Sequence, residues 1–208
     1  MNDAPESEAR ITLGLLDAVG QDSKVSQRRL ARDLGIALGL TNAYLKRCVR
    51  KGLIKMASTP ANRYAYFLTP KGFSEKGRLT AAYLARSFNF YRDARDQLGA
   101  LLANVASEGG RRVVLAGAGE LAEIAVLSAL LHPVEIVGIL APEAARPGAR
   151  LFNRPVAADL AEFRPVDAVL LTELATPQRT YDRLVLEVGP TRLLVPALLR
   201  VRPAVAAN

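Results

Sequence analysis

SQRRLARDLGIALGLTNAYLKRCVRKGLIK, residues 26–55, decides how the rest of the chain is read. Ser26 is a residue type that caps helices, because its hydroxyl accepts from a free N–H of the first turn. The helix it opens turns Leu30, Ala31 and Leu34 inward, and Gly35 ends it. A further helix over 38–51 buries Thr41, Tyr44, Leu45 and Cys48 at helical spacing. Its opposite face carries Gly39, Asn42, Ala43, Lys46 and Arg50. Gly52 stops this helix, and Leu53 and Ile54 begin a strand.

Working outward, residues 8–19 place Ile11, Leu15, Leu16 and Val19 on one helical face. Downstream, the aromatic run 64–68 reads as a second strand, and the polar stretch 58–63 between the two strands reads as a turn. Helix, helix, turn, helix and a hairpin with a basic tip make an α+β winged helix over residues 1–72. Such a helix fits the major groove of double-stranded DNA. Asn42 is suited to a bidentate pair with adenine, and Lys46 or Arg47 to guanine or phosphate. Ser26, Gln27 and Arg28 stand at a helix start that can meet a phosphate, and Arg63 at the hairpin tip can reach phosphates or the minor groove.

The run 26–55, followed by RYAYFLTPKG at 63–72, resembles winged-helix regulators of the MarR-like kind, in the branch found with exopolysaccharide genes. The resemblance covers about residues 8–85. It implies a sequence-specific DNA-binding transcriptional regulator, with Gly39, Asn42, Ala43, Lys46, Arg47 and Arg50 facing the DNA.

Charge follows the same division. Residues 24–86 hold 14 Lys and Arg against two acids, a net of +12, whereas residues 101–208 hold 11 of each. A basic first half favours a polyanion through counterion release. The single cysteine, Cys48, and single histidine, His132, lie far apart, which argues against a disulfide, a zinc site or a Cys–His nucleophile. No long uncharged apolar run is present, and residues 1–10 lack the basic-then-apolar order of a secretory signal. The expectation is a cytoplasmic protein with no membrane partner.

Residues 73–108 read as one long connecting helix. Leu84, Phe88, Tyr91, Leu98, Leu102 and Val105 follow alternating steps of four and three if Arg95 interrupts them, near a heptad seam. With Tyr83 and Phe90 close by, the stripe predicts a homodimer interface, which would set two winged helices on two half-sites.

Residues 109–208 alternate short apolar strands with helices. Strands are expected at 113–116, 134–140, 166–172 and 192–196. Helices are expected from 120 to about 131, at 157–163 and at 177–188. This order predicts an α/β Rossmann-like parallel-sheet domain. Gly117, Ala118, Gly119, Glu120 and Leu121 form a glycine turn between strand and helix, with Ala122 in the third fingerprint position. Its N–H groups can face an anion, although Glu120 would repel one if it pointed inward. The acid expected after the second strand is replaced by Ala141, with Glu143 two residues later. Thr172, Glu173 and Thr176 lie at the carboxyl end of the third expected strand, where ligands bind in such sheets.

VVLAGAGELAEIAVLSAL, VEIVGILAP, LFNRPV and VDAVLLTEL together resemble two groups. One is the redox-sensing repressor Rex, which implies NAD(H). The other is the Rossmann-like domain of sugar acetyltransferases and polysaccharide-biosynthesis enzymes, which implies a nucleotide-sugar. Ala141 and the MarR-like winged helix favour the second. A small nucleotide-binding enzyme or an interaction module is the remaining alternative. No catalytic group is expected: Glu173 has no evident partner, Asp167 reads as structural and His132 as a helix-end residue.

Overall fold

The computed structural model describes residues 3–59 and 63–202. By their internal contacts they form two compact units, Met1–Ser87 and Phe88–Asn208, each with its own hydrophobic core.

The first unit is three helices and a hairpin. Helix α1 spans Asp3–Gln21, α2 Gln27–Asp33 and α3 Leu38–Arg50. The strands β1, Ile54–Thr59, and β2, Arg63–Leu68, pair antiparallel from Ile54↔Leu68 to Thr59↔Arg63. Ser26 caps α2 as expected, its Oγ accepting from Arg29 N at 3.2 Å. Gly35 and Gly52 close α2 and α3 with φ of +63° and +70°, a backbone region with little steric cost only for glycine. Leu15, Leu16, Leu30, Leu45 and Tyr66 fill the core. The backbone N–H of Tyr66 donates to Ser23 O at 2.8 Å, which ties β2 to the loop after α1.

The stretch 69–72 starts the next helix, α4, Pro70–Ser107. Thr69 Oγ1 accepts from Gly72 N at 2.9 Å and donates to Gly52 O at 2.6 Å. A side chain at Gly72 would collide with the backbone carbonyl of Leu53. The segment 73–108, expected as a separate connector, is divided. The boundary between units falls after Ser87, inside α4.

In the second unit a six-stranded sheet runs in the order β5-β6-β4-β3-β7-β8. Strands β3 (Arg112–Ala116), β4 (Glu135–Leu140), β6 (Arg154–Ala157), β7 (Ala168–Leu171) and β8 (Leu193–Leu194) are parallel. Strand β5, Arg150–Leu151, pairs antiparallel with β6. Helices α5, Glu120–Ala129, and α6, Pro177–Val188, follow β3 and β7. The chain steps outward from β3 through β4 to β6, then returns to the other side of β3 for β7 and β8. The direction of winding therefore reverses between β3 and β7.

Two expectations are corrected here. The helix expected at 157–163 is not formed: Ala157 ends β6, and only Leu160–Phe163 makes a single 3-10 turn, capped by Asp159 Oδ1. Ala157 is drawn into the sheet because its carbonyl accepts from Ala141 N at 3.0 Å. The stripe on α4 is also reassigned in part. Leu98, Leu102 and Val105, with Ala94, are buried in the second unit's own core, so they are not available to a partner. Gln97 Oε1 accepts from Leu198 N and so ties α4 to the end of this unit. By contrast, every residue from 83 to 93 is exposed, and Phe88 keeps 57% of its surface. Among the described residues no helix is long and apolar enough to cross a membrane.

Candidate functional site

Helix α3 carries the first candidate surface. Thr41, Leu45 and Cys48 face the core, with Thr41 Oγ1 donating to Ala37 O. Burial pushes the Cys48 thiol up from its ordinary value, against the lowering effect of Lys51 and Arg47. Cys48 is thus a packed thiol and not a nucleophile. On the other side, Gly39, Ala43, Lys46 and Arg50 are exposed and fall on one stripe. No described side chain pairs with Arg28, Lys46 or Arg50.

The remaining expected residues are more constrained. Arg47 is in an ion pair with Glu8 of α1 at 2.7 Å. Gln27 donates from Nε2 to Tyr66 Oη at 2.9 Å, which joins α2 to β2. Asn42 is half-buried, and its Oδ1 is covered with no hydrogen-bond partner among the described residues. A covered acceptor without a partner is costly, and this amide must rotate before it can meet a base edge. The backbone of Arg63 opens β2, but its side chain lies outside the described residues. Sequence reasoning passed over Leu38 and Leu40, exposed at the start of α3. Their apolar character at the amino end of a helix with a polar outer face was the available signal.

The second candidate is a cleft of about 500 Å³ in the second unit, at the carboxyl ends of β3, β4 and β7. The Gly117 N–H donates to Leu140 O, and the Thr172 N–H to Ala116 O, which stitches these three ends together. Gly117 has φ +120°, and a Cβ there would lie 2.5 Å from Glu173 N. Only glycine fits this turn. Thr172 is buried and donates from Oγ1 to Gly117 O at 2.9 Å, so its hydroxyl shapes the turn and is not offered to the cleft. Gly117, Ala118, Gly119 and Glu173 line the cleft, whereas Glu120 and Leu121 do not. Glu120 is exposed and Leu121 fully buried. Glu173 Oε1 accepts from Ala175 N at 2.7 Å.

Thr176, expected near the ligand end of the sheet, lines the cleft as the N-cap of α6, but sequence reasoning missed Arg179, Thr180 and Arg183, which line it from α6 itself. Their spacing of three, four and seven residues from Thr176 was legible. Ala141 lines the cleft without a carboxylate, and Glu143 supplies one from the loop beyond. Among the described residues, no three His, Cys, Asp or Glu side chains gather to hold a metal ion.

A family model described as winged helix-turn-helix DNA-binding matches residues 9–55. Among solved structures, the chain is similar to a MarR family protein of Mycobacterium tuberculosis in complex with p-aminosalicylic acid. That match has 19% identity over 41% of this chain and 72% of that one, with a TM-score of 0.36. It is also similar to MepR of Staphylococcus aureus in complex with DNA, at 25% identity over 40% of this chain and 60% of that one, with a TM-score of 0.35. An O-methyltransferase from neocarzinostatin biosynthesis, in complex with S-adenosyl-L-homocysteine, matches 94% of this chain and 66% of its own length. Its identity is 14% and its TM-score 0.28. Scores this low describe a likeness and carry no argument. No curated protein matches the chain as a relative.

Proposed function

We propose that the protein is a sequence-specific transcriptional regulator that binds double-stranded DNA as a homodimer and receives a metabolite in its second unit. The observation that carries the reading is the outer face of α3. On a winged helix-turn-helix in a region of net +12, Lys46 and Arg50 lie exposed and unpaired among the described residues. Unpaired cations on a major-groove helix release counterions from phosphates at no cost in broken ion pairs. Gly39 and Ala43 allow close approach to the bases, and Leu38 or Leu40 can touch a thymine methyl. Arg28 stands beside the amino end of α2, where a phosphate is favoured.

Dimerisation is assigned to the exposed middle of α4, residues 83–93, through Tyr83, Leu84, Phe88, Phe90 and Tyr91. Tyr83 and Leu84 close the first unit and Phe88, Phe90 and Tyr91 open the second, and each is exposed. Sedimentation of a 22.4 kDa species alone at low concentration overturns the dimer.

The second unit is read as Rossmann-like, because its parallel strands follow the doubly wound order and its glycine turn lies at the reversal. Its ligand is then a nucleotide or nucleotide-sugar. A second reading, an NADH sensor of the Rex kind, draws on the same strand order. Ala141, buried where a ribose-binding acid is expected, favours the first. In either case the ligand changes DNA affinity only through its different affinity for two arrangements of the protein. Such a regulator works in the cytoplasm.

The test is a salt titration of DNA affinity by fluorescence anisotropy. The log of the binding constant should fall steeply with log salt, by about 0.9 per phosphate contacted. Asn42→Ala should lose sequence preference, and Arg63→Ala should weaken all DNA alike. An affinity indifferent to salt overturns the reading.

A further inference from the structure

The cleft of the second unit holds an arrangement of charge that the glycine turn does not explain. On α6, Arg179 and Arg183 are one turn apart and both line the cleft. Like charges at this spacing repel on a helix, and neither guanidinium has a hydrogen-bond or ion-pair partner among the described residues. Nearby carboxylates are engaged elsewhere. Asp182 accepts from Gln178 at 2.9 Å, Glu187 pairs with Arg164 at 3.6 Å, and Glu173 holds its own loop. The amino end of α5 lines the same cleft, where Gly119 has no side-chain cap and a Cβ would meet nothing within 4 Å. The position is open to an incoming group. The one acid that threatened this end, Glu120, lies outside the cleft lining. Glu143, on the loop after β4, has no partner among the described residues either.

The cleft lining therefore brings together two guanidiniums, a helix amino end and two carboxylates, of which Glu173 is held by its own loop and Glu143 has no partner among the described residues. Guanidinium forks and free helix N–H groups recognise phosphate. An unpaired carboxylate recognises hydroxyl donors. We infer that this cleft binds a phosphorylated polyol, with its phosphate between the amino end of α5 and Arg179 and Arg183, and its hydroxyls on Glu143. The inference rests on the reading of the second unit as a metabolite receiver and names the chemistry and the residues. The polyol is the ribose of a nucleotide or the sugar of a sugar phosphate.

The experiment is isothermal titration calorimetry of the full chain with UDP-glucose, NADH and ribose 5-phosphate, each beside uridine, adenosine or ribose as its unphosphorylated counterpart. At least one phosphorylated probe should bind about tenfold or more tightly than its counterpart. Binding of UDP-glucose or NADH without ribose 5-phosphate identifies a nucleotide; ribose 5-phosphate alone identifies a sugar phosphate. The double variant Arg179→Gln, Arg183→Gln should lose about tenfold or more with its ligand-free Tm unchanged, and Glu143→Gln should weaken the same probe. The inference is overturned if no probe binds, if the counterpart binds equally, or if the double variant binds as the parent does. An unaffected Glu143→Gln overturns the hydroxyl assignment. DNA affinity is measured on the same samples. Intact DNA binding with an empty cleft defeats this inference alone, whereas absent DNA binding defeats the regulator reading whatever the cleft does.

Discussion

The two units differ in how their charge relates to their composition, and the error runs in opposite directions. The first unit is strongly basic by count. Part of that charge is neutralised within the fold: Arg29 and Arg32 pair with acids of the α2 region, Arg47 with Glu8, and Lys76 with Asp17. Among the described residues Arg28, Lys46, Arg50, Lys51 and Lys55 form no ion pair and remain for a partner. The second unit is balanced by count, yet Arg179 and Arg183 stand in a cleft with no ion-pair partner among the described residues, while Asp182, Glu187 and Glu173 are engaged elsewhere. Net charge therefore overstates the first surface and conceals the second. Pairing, residue by residue, decides what a partner meets.

If the units are separate in their cores, a core truncation in one should spare the other. Leu45 is 3% exposed and Leu115 fully buried, in clusters that share no residue. Leu45→Ala should cost about 2–5 kcal/mol in the first unit, and Leu115→Ala a similar amount in the second. Scanning calorimetry should show one transition moving in each variant. A common shift of both transitions would break the comparison.

A smaller effect tests the second unit alone. A side chain at Gly138 of β4 would run into the ring of Phe163 on the 3-10 turn. Gly138→Ala should cost about 1–3 kcal/mol by overpacking, read by chemical denaturation. Affinity for DNA at temperatures where the variant is folded should stay at the parent value.

Much of this was legible beforehand. The turns at Gly35 and Gly52 and the cap at Ser26 are local chemistry, so the first unit's helices could be read residue by residue. The buried strands β3 and β4 announced themselves as continuous apolar runs. What failed depended on tertiary choice. The stretch from Ala157 to Phe163 has helical composition, but a bond across the sheet claims its first residue. The hairpin β5–β6 was unseen because its turn uses Phe152 and Asn153 at φ 48° and 58°, and phenylalanine gives no such signal. On α4, spacing showed that Leu98, Leu102 and Val105 were buried but not by what. In the candidate sites, residue types were readable, whereas the Glu8–Arg47 pair and the α6 wall depend on elements far apart in sequence.

The pair of Arg47 with Glu8 sharpens the charge argument directly. Removing Glu8 frees a guanidinium beside the proposed DNA face and deletes a negative charge. An exposed pair of this kind contributes about 0–1 kcal/mol to stability, so Glu8→Gln should leave the Tm nearly unchanged. Affinity for DNA should rise about three- to tenfold, with a steeper salt dependence from one more phosphate contact. Unchanged affinity would mean that Arg47 takes no part in binding.

The smallest expected effect concerns an acid whose partners are backbone groups. Asp167 Oδ2 accepts from Arg111 N at 2.7 Å and Arg112 N at 2.8 Å, joining the starts of β3 and β7. The Arg112 amide first, and the Arg111 amide next, hold its carboxyl below the ordinary value of 3.8. A carboxyl lowered in the folded state contributes stability above its unfolded value, and that contribution is lost as the pH falls through the folded one. In the first unit Glu75 is lowered too, by its hydrogen bond from Arg78, but that is an exposed pair of side chains within one helix, easily screened and re-formed. Asp167 has fixed donors, so its effect should persist in salt. Discounted for its exposure, the pair of bonds is worth about 0.5–1 kcal/mol. Asp167→Asn should lower the second unit's denaturation midpoint at neutral pH and flatten its decline as the pH falls below the ordinary carboxyl value. Glu75→Gln should change the first unit less. An equal pH dependence in Asp167→Asn and the parent would show that the two amides do not hold the charged form.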